Sequence, residues 1–218
     1  MSFENLSLSK INQLGIDKQV PGLDGLIPRL LADNYQEFIE ALYFDIDKIV
    51  SRIQRNPELH KNDGEDRLSI EIVNQLDCYG YKASHDTSIG GHADIVVEKK
   101  DFIWIGEAKI HSSYDYLWEG FQQLCTRYSI GDSNQSEGGI LIYIKNKDAK
   151  SVMAKWQNHL VTKNLDNLVC NSCQNRSLAF FSIHKHTRSG LSFKVRHIPV
   201  MLHHDPQDKS GRNKKNTA

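Results

Sequence analysis

The segment Gly90-Gly91-His92-Ala93-Asp94-Ile95-Val96-Val97, followed across a polar Lys99-Lys100-Asp101 turn by Phe102-Ile103-Trp104-Ile105-Gly106-Glu107-Ala108-Lys109-Ile110, decides how this chain reads. Ala93, Ile95 and Val97 alternate with His92, Asp94 and Val96 at the two-residue period of a strand, and the stretch from Phe102 forms the next strand. Paired across the turn, the two strands bring Asp94 close to Glu107. Side chains two apart on a strand share a face, so Glu107 and Lys109 project together while Trp104, Gly106 and Ala108 take the other side. Two carboxylates and an ammonium on one patch of sheet can be a surface ion-pair ladder. They can also be a metal site. Asp94, Glu107 and the backbone carbonyl of Ala108 would supply the hard oxygens that Mg2+ takes, with Lys109 beside them to orient or deprotonate a water.

Upstream, the spacing predicts a helix from Asn62-Asp63-Gly64 to Gly80 that carries Leu68, Ile72 and Leu76 on one stripe. At roughly 100° per residue Glu65 falls inside that stripe and Glu71 on its flank, so Glu65 is expected to point inward as a third carboxylate. A first-turn acid favoured by the helix dipole is the alternative. Before it, Phe38, Leu42, Ile46, Ile49 and Ile53 mark a long amphipathic helix from Asp33 to about Asn56, read as a packing or oligomer helix. The first thirty residues, with glycines and prolines between short apolar groups, suggest loops and short turns.

Downstream, Tyr114 to Tyr128 reads as a helix, Gly139 to Lys145 as a buried strand and Ala149 to Lys163 as a further helix. Leu178 to His186 and Leu191 to Leu202 read as two strands joined around Ser189-Gly190. On the helix after the second strand, Leu117, Phe121, Leu124 and Tyr128 form the buried stripe, and Tyr116, Gly120, Gln123 and Arg127 form an adjacent one. The fold class expected is α/β, a mixed sheet sandwiched by helices. Residues 1–60 read as an N-terminal helical segment, 61–165 as the core, 166–203 as a C-terminal hairpin extension and 204–218 as a mobile basic tail.

Composition narrows the function. The 218 residues carry 27 basic and 27 acidic side chains, a hydrophobic share of 39% and a charged share of 25%, within the range of chains that bury a core. From Arg176 onward there are nine Lys or Arg against two acids, a net +7, so the first 175 residues carry −7. Such asymmetry suits a polyanion-binding edge or a solvated surface with a basic tail. No run reaches the roughly 18 apolar residues of a membrane span, and the N-terminus lacks the order of a signal peptide, so a cytoplasmic, non-membrane protein is expected. The four cysteines do not form a secreted disulfide framework. Cys170 and Cys173 make a CxxC whose sole plausible zinc partners, His184 and His186, are separated by one residue, which disfavours zinc.

The order Glu65, then Gly90 to Val97 with Asp94, then Trp104 to Ile110 with Glu107-Ala108-Lys109, then a helix, resembles the PD-(D/E)xK nuclease superfamily, which includes restriction, repair and anti-phage defence enzymes. Ala93 stands where the motif name has a proline, and the resemblance spans about residues 65–145. It implies a restriction-endonuclease-like α-β-β-β-α-β core and metal-dependent phosphodiester cleavage. It assigns metal binding to Asp94 and Glu107 with Glu65 in support, and water activation to Lys109, with Mg2+ as the cofactor and Mn2+ able to substitute. Some branches place a glutamine and a tyrosine four apart on the helix that follows, contacting metal-bound water or the DNA backbone. Here Gln123 has Arg127 four on and Tyr128 one further, so that feature carries over in part.

The expected activity is therefore a Mg2+-dependent endonuclease or phosphodiesterase acting on nucleic acid, DNA before RNA. Gln123 lines the site, Arg127 contacts phosphate, His92 reaches the scissile phosphate, and Lys185, Arg188, Lys194 and Arg196 guide the backbone without reading sequence. The reading leaves room for a homodimer or larger oligomer and for a sensor or partner subunit. Two alternatives stand beside it: a non-catalytic nucleic-acid-binding or assembly protein that keeps the fold, and a hydrolase of small nucleotides.

Overall fold

The computed structural model describes residues 7–15, 19 and 23–208. Short helices Leu8–Gln13 (α1) and Leu26–Leu31 (α2) precede the long helix Tyr35–Ile53 (α3), which Asn34 caps by accepting the Glu37 N–H at 3.0 Å. The helix Glu65–Cys78 (α4) leads into strands Lys82–Ser84 (β1), Thr87–Ser88 (β2), His92–Ala93 (β3), Ile95–Lys99 (β4) and Phe102–Ile110 (β5). Helix Tyr114–Gln122 (α5) continues as a π-helical turn, Gln123–Tyr128. Then come strand Glu137–Ile144 (β6), helix Ala149–Val161 (α6) and strands Val169–Ser172 (β7), Phe180–Lys185 (β8) and Ser192–Met201 (β9).

Seven strands form one mixed sheet in the order β1-β4-β5-β6-β9-β8-β7, and β2 pairs with β3 in a separate ribbon. β1, β4 and β5 run antiparallel, β6 is parallel to both β5 and β9, and β9, β8 and β7 are again antiparallel. The α/β class follows from residues that bury both faces of the central strands. Ile95, Val97, Trp104, Leu141, Tyr143 and Val200 pack against α3 and α4 on one face. Val96, Ile105, Ile140, Ile142, Phe193 and Val195 pack against α5, its π turn and α6 on the other. Among the described residues no helix is long and apolar enough to cross a membrane.

The C-terminal hairpin is present, but it is not an appendage. β9 pairs with β6 from Glu137↔Lys194 to Ile144↔Met201, so residues 166–203 complete the core sheet and add β7 at its edge. The reason is that β6 is buried along its whole length and needs a neighbour on each side. The N-terminal α3 likewise belongs to the core, with Phe38, Leu42, Ile46 and Ile49 fully buried. Residues 203–208 have no regular structure yet pack back, with the His203 ring on the Lys145 carbonyl at 3.1 Å and Lys147 paired with Asp205 at 3.3 Å. The remainder of the tail, including Lys209, Arg212, Lys214 and Lys215, lies outside the described residues.

β1 is short, because Asp86 adopts φ 52° and turns the chain. The strand expected from Ala93 is divided at Asp94, with β3 and β4 pairing to different partners.

Candidate active site

That division builds the site. β5 runs to Ile110, but β4 pairs with it only as far as Ile95↔Gly106, so the edge of β5 beyond Gly106 has no strand partner. Its two orphaned N–H groups go to side chains instead: Ala108 N–H donates to Asp94 Oδ2 at 2.8 Å, and Ile110 N–H donates to Glu65 Oε1 at 2.6 Å. The N–H and C=O of one strand residue point to the same edge, so the Ala108 carbonyl faces this gap too. Asp94 and Glu65 thus converge where the sheet opens, one from the break between β3 and β4 and one from the first turn of α4. Glu71, by contrast, lies 3.9 Å from the His60 ring, away from the gap.

Glu107 and Lys109 point from β5 toward α5, with Lys109 Nζ on Glu107 Oε1 at 2.5 Å. They are 1% and 8% exposed. Burial, together with the nearby Asp94 and Glu65 charges, pushes Glu107 up to about 7 against the pull of Lys109. Burial also raises Asp94, although the Ala108 N–H and Lys109 oppose it. For Lys109, burial alone would lower the pKa; the surrounding Glu107, Asp94 and Glu65 outweigh it and hold it above the ordinary value.

Helix α5 closes the site. Ser113 caps it by accepting the Tyr116 N–H, and this sets Tyr116 so that its hydroxyl donates to Glu65 Oε2 at 2.9 Å with its ring 5.5 Å from Lys109 Nζ. One turn on, a Cβ at Gly120 would lie 2.9 Å from Lys109 Cγ, so glycine gives the Glu107 and Lys109 side chains their room. The π turn follows, with Ser129 N–H on the Leu124 carbonyl at 3.1 Å, five residues back. Gly91, at φ +158°, lets the glycine loop approach this turn; a Cβ there would lie 2.8 Å from the Tyr128 ring.

Asp94, Glu107, Lys109 and Glu65 are thus brought together, with Gln123 on the adjoining turn. Tyr116 and His85, whose Nδ1 lies 2.7 Å from the Asp94 carbonyl, were not assigned from sequence. Tyr116 could have been, since it shares the helix stripe of Gln123. His92 is solvent-exposed, with its Nδ1 2.8 Å from Asp86 Oδ1. Arg127, Lys185 and Arg188 are exposed, and Arg188 donates to the Ser129 carbonyl at the end of the π turn.

Arg196 requires correction. It is 1% exposed, donates to Asp47 Oδ2 at 2.7 Å and lies 4.7 Å from the Tyr43 ring, so it pairs with a half-buried acid on α3 and is itself closed off from phosphate. Lys194 beside it is committed to Glu137 at 3.0 Å and faces the same side, away from the carboxylates. The CxxC is split as well. Cys173 contacts Arg196 on the α3 face, whereas Cys170 packs into the core on the α5 face.

The donors present suit a hard divalent cation. Glu107 Oε2 and Gln123 Oε1 are both buried acceptors with no hydrogen-bond partner, and three carboxylates share the cluster. Among the described residues no group of three His, Cys, Asp or Glu side chains is close enough to hold a metal ion as it stands. The cause is visible: Glu107 Oε1 is turned to Lys109, and both Glu65 oxygens are taken by Ile110 and Tyr116. No family model, curated protein or solved structure matches the chain.

Proposed function

We propose that this chain is a metal-dependent nuclease of the PD-(D/E)xK kind that hydrolyses phosphodiester bonds, in DNA before RNA. The observation that carries the proposal is the convergence of Asp94, Glu107, Glu65 and Lys109 at the gap where β4 ends, with a buried Glu107 oxygen lacking any donor. The order of α4, three antiparallel strands, α5 and a parallel strand supports the same reading, because it is the α-β-β-β-α-β order of that family.

Mg2+, or Mn2+ in its place, would be held by Asp94, Glu107 and the Ala108 carbonyl with Glu65 in support, and when bound it supplies Lewis-acid polarisation of a phosphate oxygen. The chain's own groups do the rest. Lys109, whose Nζ sits on Glu107 Oε1, directs an attacking water and offsets charge developing on the phosphate. Tyr116 holds Glu65 in place through its hydroxyl, and the free Gln123 oxygen is available to orient water. Arg127, Lys185 and Arg188 receive backbone phosphates, which gives affinity without sequence preference.

Incubating the purified protein with plasmid, single-stranded DNA and RNA, with Mg2+, Mn2+ or EDTA, tests this directly. Cleavage that requires the metal and is lost in Glu107→Gln and Lys109→Ala is expected; full activity in either variant would sink the assignment. A second reading, a nucleic-acid-binding or assembly protein that keeps the fold without catalysis, is favoured by the engagement of Glu107 Oε1 with Lys109 and of both Glu65 oxygens with Ile110 and Tyr116. Calorimetry separates the two: catalysis requires Mn2+ binding that Asp94→Asn removes.

A further inference from the structure

The two flanks of α5 face different features. Tyr116, Gly120 and Gln123 look toward the carboxylates, while Trp118, Phe121 and Cys125 line a cavity of about 420 Å³ on the opposite flank, between the π turn, β8 and the loop after α6. A helix is about 10–12 Å across with its side chains, so the cavity lies within a short stretch of strand from the site.

Its lining is that of a place for one flat heteroaromatic ring. Trp118 is partly exposed and rests on Phe121 with ring centroids 5.4 Å apart and planes 18° apart. Its ring otherwise carries Lys163 Nζ at 5.2 Å, a cation shared with Asp115 at 3.6 Å that a phosphate would have to draw away. His184, 4% exposed, is one of the residues lining the cavity, and its sealed Nδ1 has no hydrogen-bond partner within the protein. Lys185 at the mouth and Arg188 nearby are exposed cations on the same face.

We propose that this cavity takes one unstacked nucleobase of the bound strand, stacked on Trp118 and hydrogen-bonded by His184, while Lys163, Lys185 and Arg188 hold its flanking phosphates. The inference rests on the nuclease reading and deepens it. It makes a single-stranded or locally opened segment the ligand, because a base inside a duplex cannot enter.

Trp104 and Trp156 are sealed in the two cores, so a change in tryptophan emission on binding reports Trp118. The intact protein in EDTA is titrated with a single-stranded oligodeoxynucleotide, with the same strand carrying abasic sites, and with free nucleoside monophosphates. Saturable quenching by the normal strand is expected. Abasic strands and the Trp118→Ala variant should bind about 5- to 150-fold more weakly, the fold-change of a stack of about 1–3 kcal/mol, while Trp118→Phe keeps most of the affinity. Trp118 lies outside the sealed core positions, and circular dichroism checks that the variants fold. Equal affinity for normal and abasic strands, alongside Mg2+-dependent cleavage, overturns the base pocket and leaves the nuclease reading standing. Absence of any strand binding or cleavage overturns both. Quenching by free monophosphates without strand binding makes the cavity a metabolite site and overturns the proposal.

Discussion

Acidification from pH 8 to pH 5 should cost about 4 kcal/mol of folding free energy through two buried histidines. His197 is fully buried among Phe180, Phe121 and Trp156, and both ring nitrogens are engaged. Trp156 Nε1–H can only donate, so Nδ1 accepts at 3.0 Å and Nε2–H donates to Ser182 Oγ at 2.8 Å. A second proton on Nδ1 would face the indole N–H. Burial, reinforced by His184, lowers His197 from 6.5 to about 3, and burial with His186 nearby lowers His184 to about 4. Because the folded values lie below the unfolded one, the stabilisation is complete above about pH 6.5 and is lost as the pH falls toward them. By linkage, each group at pH 5 accounts for about 2 kcal/mol. Urea unfolding of the parent and of the double variant His184→Gln, His197→Gln at both pH values measures the effect. Any packing loss in the variant appears at pH 8 and cancels in the difference. An equal pH-dependent loss in variant and parent would refute the reasoning.

Glu65→Gln should reduce metal-dependent cleavage by at least tenfold more than Glu71→Gln in matched kinetic assays, since only Glu65 reaches the gap. Replacing Arg127, Lys185 and Arg188 with alanine should flatten the log–log salt dependence of single-strand binding by about 2.1, at about 0.7 per phosphate contact, without changing specificity. Arg196→Ala should leave that slope unchanged and instead destabilise the fold by about 2 kcal/mol in denaturant titrations, because it removes a charged hydrogen bond to Asp47, which keeps only Arg176 at 3.9 Å.

Much of the site was readable from spacing alone. The phase of α4 put Glu65 inward, and strand alternation put Glu107 and Lys109 on one side of β5, because both depend on contacts within one element or across one tight turn. What sequence could not supply were partners far along the chain. Arg196 read as a surface cation since Asp47 lies 149 residues away. The hairpin read as an extension since nothing local shows that β6 needs β9 beside it. β7 was missed because Val169-Cys170-Asn171-Ser172 is a mostly exposed edge without apolar alternation.

The π turn changes how a linear motif should be counted. An α-helix returns to the same face after about four residues, but a π turn closes its hydrogen bonds at five. Gln123 and Tyr128 are five apart, at the two ends of that turn, and the Tyr128 hydroxyl is raised first by burial and then by the charges of Glu107 and Asp94. Within that turn the repeat is five residues rather than four, so it is Tyr128, and not Arg127, that follows Gln123 by one hydrogen-bonded turn.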